Sequence, residues 1–279
     1  MKPITRPAVR YHGGKFRLAP WIMQTFPSHR VYVEPFGGGA SVLLQKARSR
    51  AEVYNDLDGE IVNLFRQLRD HGAEMVRRVS LTPFARDEFD TAYQASDDPI
   101  EQARRTLIRS FMGFGSAGAS GQATGFRANS NRSHTTPAHD WANLPSAMEA
   151  IVARLRGVVI ENRDAAACMQ QHDSATTLHY VDPPYVHSTR NVRTRAPAYK
   201  HELTDDQHRD LATALHGLQG MVVLSGYPCA LYDEIFSNWE RFECAAHADG
   251  ARDRTECLWI NSRCAAALHT SGLFNGVAA

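Results

Sequence analysis

Leu178-His179-Tyr180-Val181-Asp182-Pro183-Pro184-Tyr185 is the stretch on which the reading of this chain turns. Leu178 to Val181, apolar except for His179, has the pattern of a short buried strand, and two prolines stop it. Asp182 then falls at the strand's carboxyl end, the edge where open α/β sheets bind ligands. Pro183 has no N–H to donate and fixes φ, and a residue before proline is driven to an extended conformation, so the corner is rigid. It offers a carboxylate, carbonyls without ladder partners and the aromatic face of Tyr185. Such a set suits a flat group bearing an NH2, as a nucleobase does.

Working outward, the remaining apolar runs alternate with helical patterns. Val31 to Pro35, Ala51 to Asn55, Val158 to Glu161 and Met221 to Ser225 read as strands, and Glu240 to Ala245 with Thr255 to Asn261 as a final pair. Strands separated by helices predict an α/β fold on a mostly parallel sheet. Between the first two strands, Phe36-Gly37-Gly38-Gly39-Ala40-Ser41 leads into a helix from Ser41 to about Arg48. This is the strand, glycine turn, helix order that admits an adenosine moiety close to main chain. Asp56, roughly 20 residues past the glycines, stands where such folds place a carboxylate for ribose hydroxyls. Asp58 is placed to cap the next helix, whose Ile61, Leu64, Phe65 and Leu68 share a face. Near the start, Tyr11-His12-Gly13-Gly14-Lys15 is a glycine turn followed by a lysine that can reach a carboxylate or phosphate.

The Asp182 corner resembles the Asp-Pro-Pro-Tyr motif of the amino-group DNA methyltransferases, and within them the adenine-N6 class of the DNA adenine methylase type. The chain is similar to that family in the order of its motifs, from Gly13-Gly14-Lys15 through Glu34-Pro35-Phe36 and Asn55-Asp56-Leu57 to the corner. Ala40 stands where the family often has another glycine, and Asp58 where it often has asparagine. The resemblance implies a Rossmann-like methyltransferase fold, with a mostly parallel seven-stranded sheet covered by helices on both faces and an inserted, mainly helical target-recognition domain. It implies S-adenosyl-L-methionine as cofactor, bordered by Tyr11, Lys15, Glu34, Pro35, Phe36, Gly37, Gly39, Asp56, Asp164 and Asp182. It implies catalysis by Asp182, Pro183, Pro184 and Tyr185 on an adenine flipped out of double-stranded DNA, with Tyr185 stacking on the base, and a setting in restriction-modification. An N-cap role explains Asp164 equally well.

On this reading residues 1–66 and 146–279 form the catalytic domain, and 67–145 the inserted one. Within the insertion Thr82-Pro83 and Asp98-Pro99 each start a helix, and a Gly/Ser-rich stretch from Gly113 to Gly125 reads as a loop that packs no core. Arg127 and Arg132 after it, and Arg190 in the basic stretch past the corner, are the side chains expected on DNA. Thr204-Asp205-Asp206-Gln207 is a capping box, and residues after Ala265 read as a loosely held tail.

Bulk composition fits this picture. The chain has 279 residues, 43% hydrophobic and 22% charged, with a formal net charge of +1, so any DNA contact must come from local basic faces. Five cysteines without Cys-x-x-Cys spacing indicate neither a zinc site nor a disulfide framework. A cytoplasmic, metal-free monomer is expected, because no apolar run is long enough to span a bilayer and the N-terminus lacks a signal-peptide core. Rival readings keep methyl transfer but move it to RNA adenine, cytosine N4 or a glutamine amide, or keep the fold without catalysis. A nicotinamide oxidoreductase is disfavoured because the Gly-x-Gly-x-x-Gly spacing is missing.

Overall fold

A computed structural model describes residues 3–129, 131, 135–189, 200–248 and 252–270. Seven strands form one sheet: β1 Val31–Glu34, β2 Ala51–Asn55, β3 Val158–Glu161, β4 Thr177–Val181, β5 Met221–Gly226, β6 Glu240–Ala248 and β7 Arg252–Ile260. Their order is β3-β2-β1-β4-β5-β7-β6; the first five are parallel, and β7 is antiparallel to both neighbours. This is the α/β, Rossmann-like arrangement. The chain reverses direction across the sheet between β1 and β4, whose register pairs Val33 with His179. At that switch point the connections leave in opposite directions and open a crevice above the carboxyl ends.

Both faces of the sheet are covered, as near-continuous apolar strands require. Tyr32, Tyr54, Leu178, Tyr180 and Val223 point into one hydrophobic cluster, while Val181, Val222, Leu224 and Trp259 point into a second on the opposite face. In chain order the helices are α1 Ala19–Ile22, α2 Ser41–Gln45, α3 Gly59–Asp70, α4 Gly72–Leu81, α5 Arg86–Thr91, α6 Pro99–Met112, α7 Pro137–Ala142, α8 Leu144–Leu155, α9 Ala165–Gln171, α10 Asp205–His216, α11 Ala230–Ile235 and α12 Ser262–Thr270. Asp58 caps α3 by accepting from the Glu60 amide, Asp98 caps α6 in the same way, and Thr204 with Gln207 closes the capping box of α10. None of the described helices is long and apolar enough to cross a membrane.

The inserted helices do not form a core of their own. Met75 of α4, Leu107 and Phe111 of α6, Trp141 of α7 and Ile151 of α8 lie in the same cluster as Tyr32 and Tyr54 of the sheet. Three local expectations change. Gly113 to Gly125 is held against α6 rather than loose: Ala119 is fully buried, and Gly113 and Gly118 lie so close to the Arg109 carbonyl that a Cβ at either would stand 2.4 Å from it. The buried Arg109 guanidinium spans the site, binding the carbonyls of Ala92 and Gly118 and the carboxylate of Glu60. Of the residues past Ala265, those up to Thr270 belong to α12, where Leu268 and Cys264 are fully buried, and 271–279 lie outside the described residues. Finally, α2 ends at Gln45 and α5 starts only at Arg86, with Phe84 outside it against Phe126.

One buried ionic cluster joins α8 to the sheet. Arg154 of α8 grips Glu52 of β2 through two bonds of 2.6 and 2.9 Å and also donates to the Leu43 carbonyl, while Lys46 holds the same carboxylate at 2.7 Å. Removing Arg154 strips the buried Glu52 carboxylate of two charge-assisted bonds, with Lys46 left beside it, and orphans the Leu43 carbonyl. Arg154→Met should therefore lower the unfolding free energy by about 3 kcal/mol, measured by urea denaturation, with the methionine stem retaining most of the apolar packing.

Candidate active site

The site is assembled at the carboxyl edge, where β4 stops at Val181 and the two prolines turn the chain. Asp182 faces the crevice and accepts two donors on the same oxygen: Ser225 Oγ at 2.6 Å and Lys15 Nζ at 3.0 Å both reach Oδ1. Its Oδ2 accepts no hydrogen bond among the described residues and remains for an incoming N–H. Since Ser225 spends its hydroxyl proton on Asp182, it accepts from Tyr180, whose hydroxyl lies 3.3 Å away. Lys15 is delivered by the Tyr11–Lys15 turn, in which Gly13 takes φ +72 and Gly14 N–H binds the Tyr11 carbonyl. Its ammonium also donates to the Gly13 carbonyl at 2.9 Å.

The glycine loop forms the opposite wall. Gly37, Gly38 and Gly39 run between two tyrosines: a Cβ on Gly37 would stand 2.2 Å from the Tyr54 ring, and one on Gly38 2.9 Å from Tyr11. Tyr54 fixes the loop by donating to the Gly38 carbonyl, and Asp56 Oδ2 accepts the Gly38 amide at 2.8 Å. Ala40, the residue standing where the resembling family often has glycine, adopts φ +51 and is the one non-glycine residue at positive φ among those described.

The crevice between these walls is lined by Tyr11, Lys15, Glu34, Phe36, Gly37, Gly39, Asp56, Asp182 and Pro184, all singled out from the sequence, together with Asp58, Tyr180 and Lys200. Lys200 pairs with Asp58 Oδ1 at 3.0 Å across the mouth. Four expected residues sit elsewhere. Pro35 lies behind the wall, its carbonyl bonded by Asn55. Pro183 is buried under the corner. Asp164 is exposed and caps α9 by accepting the Ala167 amide, so the N-cap role describes it and it does not line the crevice.

Tyr185 is the fourth: 6% exposed and off the crevice wall, it donates its hydroxyl to Glu256 and presents its ring face to Lys15, 4.6 Å away, with Tyr227 against it edge-on. Sequence reasoning missed Ser225, a polar residue inside the apolar β5, and Glu256, which stands where β7 turns from polar to apolar. Of the expected DNA contacts, Arg127 is half-buried and donates to the Phe111 carbonyl, and Arg132 and Arg190 lie outside the described residues.

The motifs hold together as one site, and they lie within residues 11–247, the span that matches the D12 class N6 adenine-specific DNA methyltransferases. The chain belongs to that family. It is also similar to the Type II methyltransferase M1.LlaDCHI of Lactococcus lactis subsp. cremoris, 23% identical over 270 residues that cover 88% of this chain and 90% of that protein. The chain is thus an adenine-specific DNA methyltransferase, and the crevice above β1 and β4 is where an enzyme of this fold works.

Within this methyltransferase the crevice carboxyls are not equivalent. Glu34 is fully desolvated, and burial pushes its carboxyl up to about 8 even though Tyr32 and the Leu43 amide donate to it. Burial also raises Asp56, opposed by the amides of Asp58 and Gly38. Glu34 holds its proton in the folded state at pH values where the unfolded chain has lost it, so it favours folding less as pH rises. Stability should fall between its ordinary value near 4.5 and about 8. Glu34→Gln should flatten that slope, as urea unfolding across the window would show.

Proposed function

We propose that this methyltransferase takes its methyl group from S-adenosyl-L-methionine and places it on N6 of an adenine flipped out of double-stranded DNA, acting as a monomer. The observation that carries the proposal is the Asp182 carboxylate, with Oδ1 occupied by Lys15 and Ser225 and turned to the same crevice as the glycine loop. The crevice fits the cofactor chemically. Asp56 uses two of its roughly four acceptor sites on the Gly38 and Asp58 amides, which leaves sites for ribose hydroxyls. With Glu34 protonated, the Asp56, Asp58 and Asp182 carboxylates still outnumber the Lys15 and Lys200 ammonium groups of the lining, a balance that suits a cationic ligand. Tyr11, Phe36 and Gly37 to Gly39 would border the cofactor, which supplies, when bound, a methyl group on a positively charged sulfur.

The protein's task is alignment. An exocyclic amine is a poor nucleophile because its lone pair is delocalised into the ring. Asp182 Oδ2 accepts one of its N–H groups, draws the nitrogen toward tetrahedral geometry and frees the lone pair. Acceptors fixed in advance by the proline corner match the positive charge that develops on nitrogen, without reorganisation. Asp182 is acceptor and orienter first, and takes the proton the amine sheds afterwards. A paired base cannot reach this corner, so it must leave the stack, at a few kcal/mol.

Target selection falls to residues 67–145, which we read as the recognition region, with Arg127 and Arg132 on DNA and Arg190 on the strand beside the site. Because the inserted helices share the sheet's core, that region is a rigid platform rather than a tethered module.

Incubation with S-adenosylmethionine and unmethylated DNA, digestion to nucleosides and mass analysis should yield N6-methyladenine; N4-methylcytosine, or modification of RNA alone, would overturn the proposal. In the same assay Asp182→Ala should reduce methyl transfer by roughly a thousandfold while circular dichroism and melting stay as in the parent enzyme. Alanine at both Arg127 and Arg132 should weaken DNA binding and reduce its salt slope by about two, whereas an unchanged slope removes these arginines from the interface.

A further inference from the structure

Glu256 lies in β7, beyond the residues that match the family, and the mechanism above does not use it. It is 3% exposed. A carboxylate removed from water is costly unless its partners compensate it. Its partners are informative: Oε1 receives the Tyr185 hydroxyl and lies 3.6 Å from Lys15 Nζ, and Glu256 makes no other side-chain hydrogen bond or ion pair among the described residues. Both partners belong to the catalytic corner. Because β7 runs antiparallel to β5, with Cys257 opposite Gly226, the early residues of β7 reach the carboxyl edge where β4 and β5 end.

We infer that Glu256 is a positioning residue for methyl transfer: with Tyr185 it draws the Lys15 ammonium to one side of Asp182, so that Lys15 engages Oδ1 and Oδ2 stays open to the target amine. This inference rests on the proposed role of Asp182. Lysine carries its charge on a flexible four-carbon stem with three rotatable donors, and a lone ammonium beside a carboxylate is free to bridge both oxygens. Among the described residues it meets the Gly13 carbonyl at 2.9 Å, Asp182 Oδ1 at 3.0 Å, Glu256 Oε1 at 3.6 Å and the Tyr185 ring at 4.6 Å, four contacts that fix its direction. Glu256 anchors two of these four, because its bond to the Tyr185 hydroxyl also sets the ring on which the ammonium rests. The buried position of Tyr185 follows from the same arrangement: its ring face carries Lys15. Two carboxylates sharing one lysine also leave the centre with surplus negative charge, matched to the positive charge that forms on the amine. Burial raises the Glu256 carboxyl and Lys15 opposes the rise, consistent with direct coupling of the two.

Glu256→Gln tests this, since the amide oxygen still accepts from Tyr185 while the charge that holds Lys15 is gone. Single-turnover methyl transfer should fall on the order of tenfold to a hundredfold, with dissociation constants for DNA and for S-adenosylmethionine within about twofold of the parent, because the group acts through Lys15 and touches neither. Lys15→Gln should show a similar loss. The double variant Lys15→Gln/Glu256→Gln should be no slower than Lys15→Gln alone, since the second change removes nothing once the lysine is absent. That variant removes one cation and one carboxylate and so keeps the net charge of the centre, and it carries the test if Glu256→Gln alone melts far below the parent. Parent-like turnover in Glu256→Gln, or losses that multiply in the double variant, would overturn the inference. A parent enzyme that makes no N6-methyladenine would instead refute the underlying reading of the site.

Discussion

The structure depends on keeping a carboxylate at the end of β4 with one oxygen bound and the other open. Four segments distant in sequence are needed for this. The Asp182 corner ends the strand, the Tyr11–Lys15 turn supplies a cation, β5 supplies the Ser225 hydroxyl, and β7 supplies the carboxylate that shares the lysine. Only a sheet whose strand ends meet at one edge brings them together. The parallel registers of β1, β4 and β5, pinned by buried side chains on both faces, set that edge: slipping one strand by a residue would turn Tyr180 and Val181 each into the wrong core.

The glycine loop obeys a steric demand from the protein as much as from any ligand. Gly37 and Gly38 are squeezed between Tyr54 and Tyr11, so a side chain there would collide before a cofactor arrived. Ala40 shows how firmly the loop is held. A left-handed conformation costs a non-glycine residue roughly 1–2 kcal/mol, yet Ala40 keeps it because its amide closes the turn on the Gly37 carbonyl at 2.7 Å and its methyl is fully buried. The alanine offsets strain with burial where glycine would relieve the strain and lose the contact.

What could be read in the sequence was local or periodic. β2 and β3 coincide with their apolar runs, and the cap of α3 and the capping box of α10 are satisfied by residues within three positions of each other. Most of the crevice wall was legible too, because Lys15, Asp56 and Asp182 each follow a glycine turn or end a strand. Convergence was not legible. Nothing near Glu256 indicates that it meets Tyr185, 71 positions away, and a tyrosine after two prolines does not reveal which way its ring will turn. The Gly113 to Gly125 stretch misleads for a related reason: lacking side chains, it looks unable to pack, yet that lack lets Gly113 and Gly118 lie directly on the α6 backbone. Asp164 is the converse, a local cap that chain order alone placed at the site.

Charge separates the two tasks of the enzyme. Four carboxyls line one crevice, and the protein tolerates them by four different means: Glu34 keeps its proton, Asp56 is held by backbone amides, Asp58 meets Lys200, and Asp182 meets Lys15. Three of the four are thus neutral or paired within the protein, and what the pocket offers is open acceptor sites for an amine and for hydroxyls. With a net charge of +1 the chain cannot attract DNA by its overall field. Chemistry in the crevice rests on placed acceptors, and attraction of DNA must come from local charge.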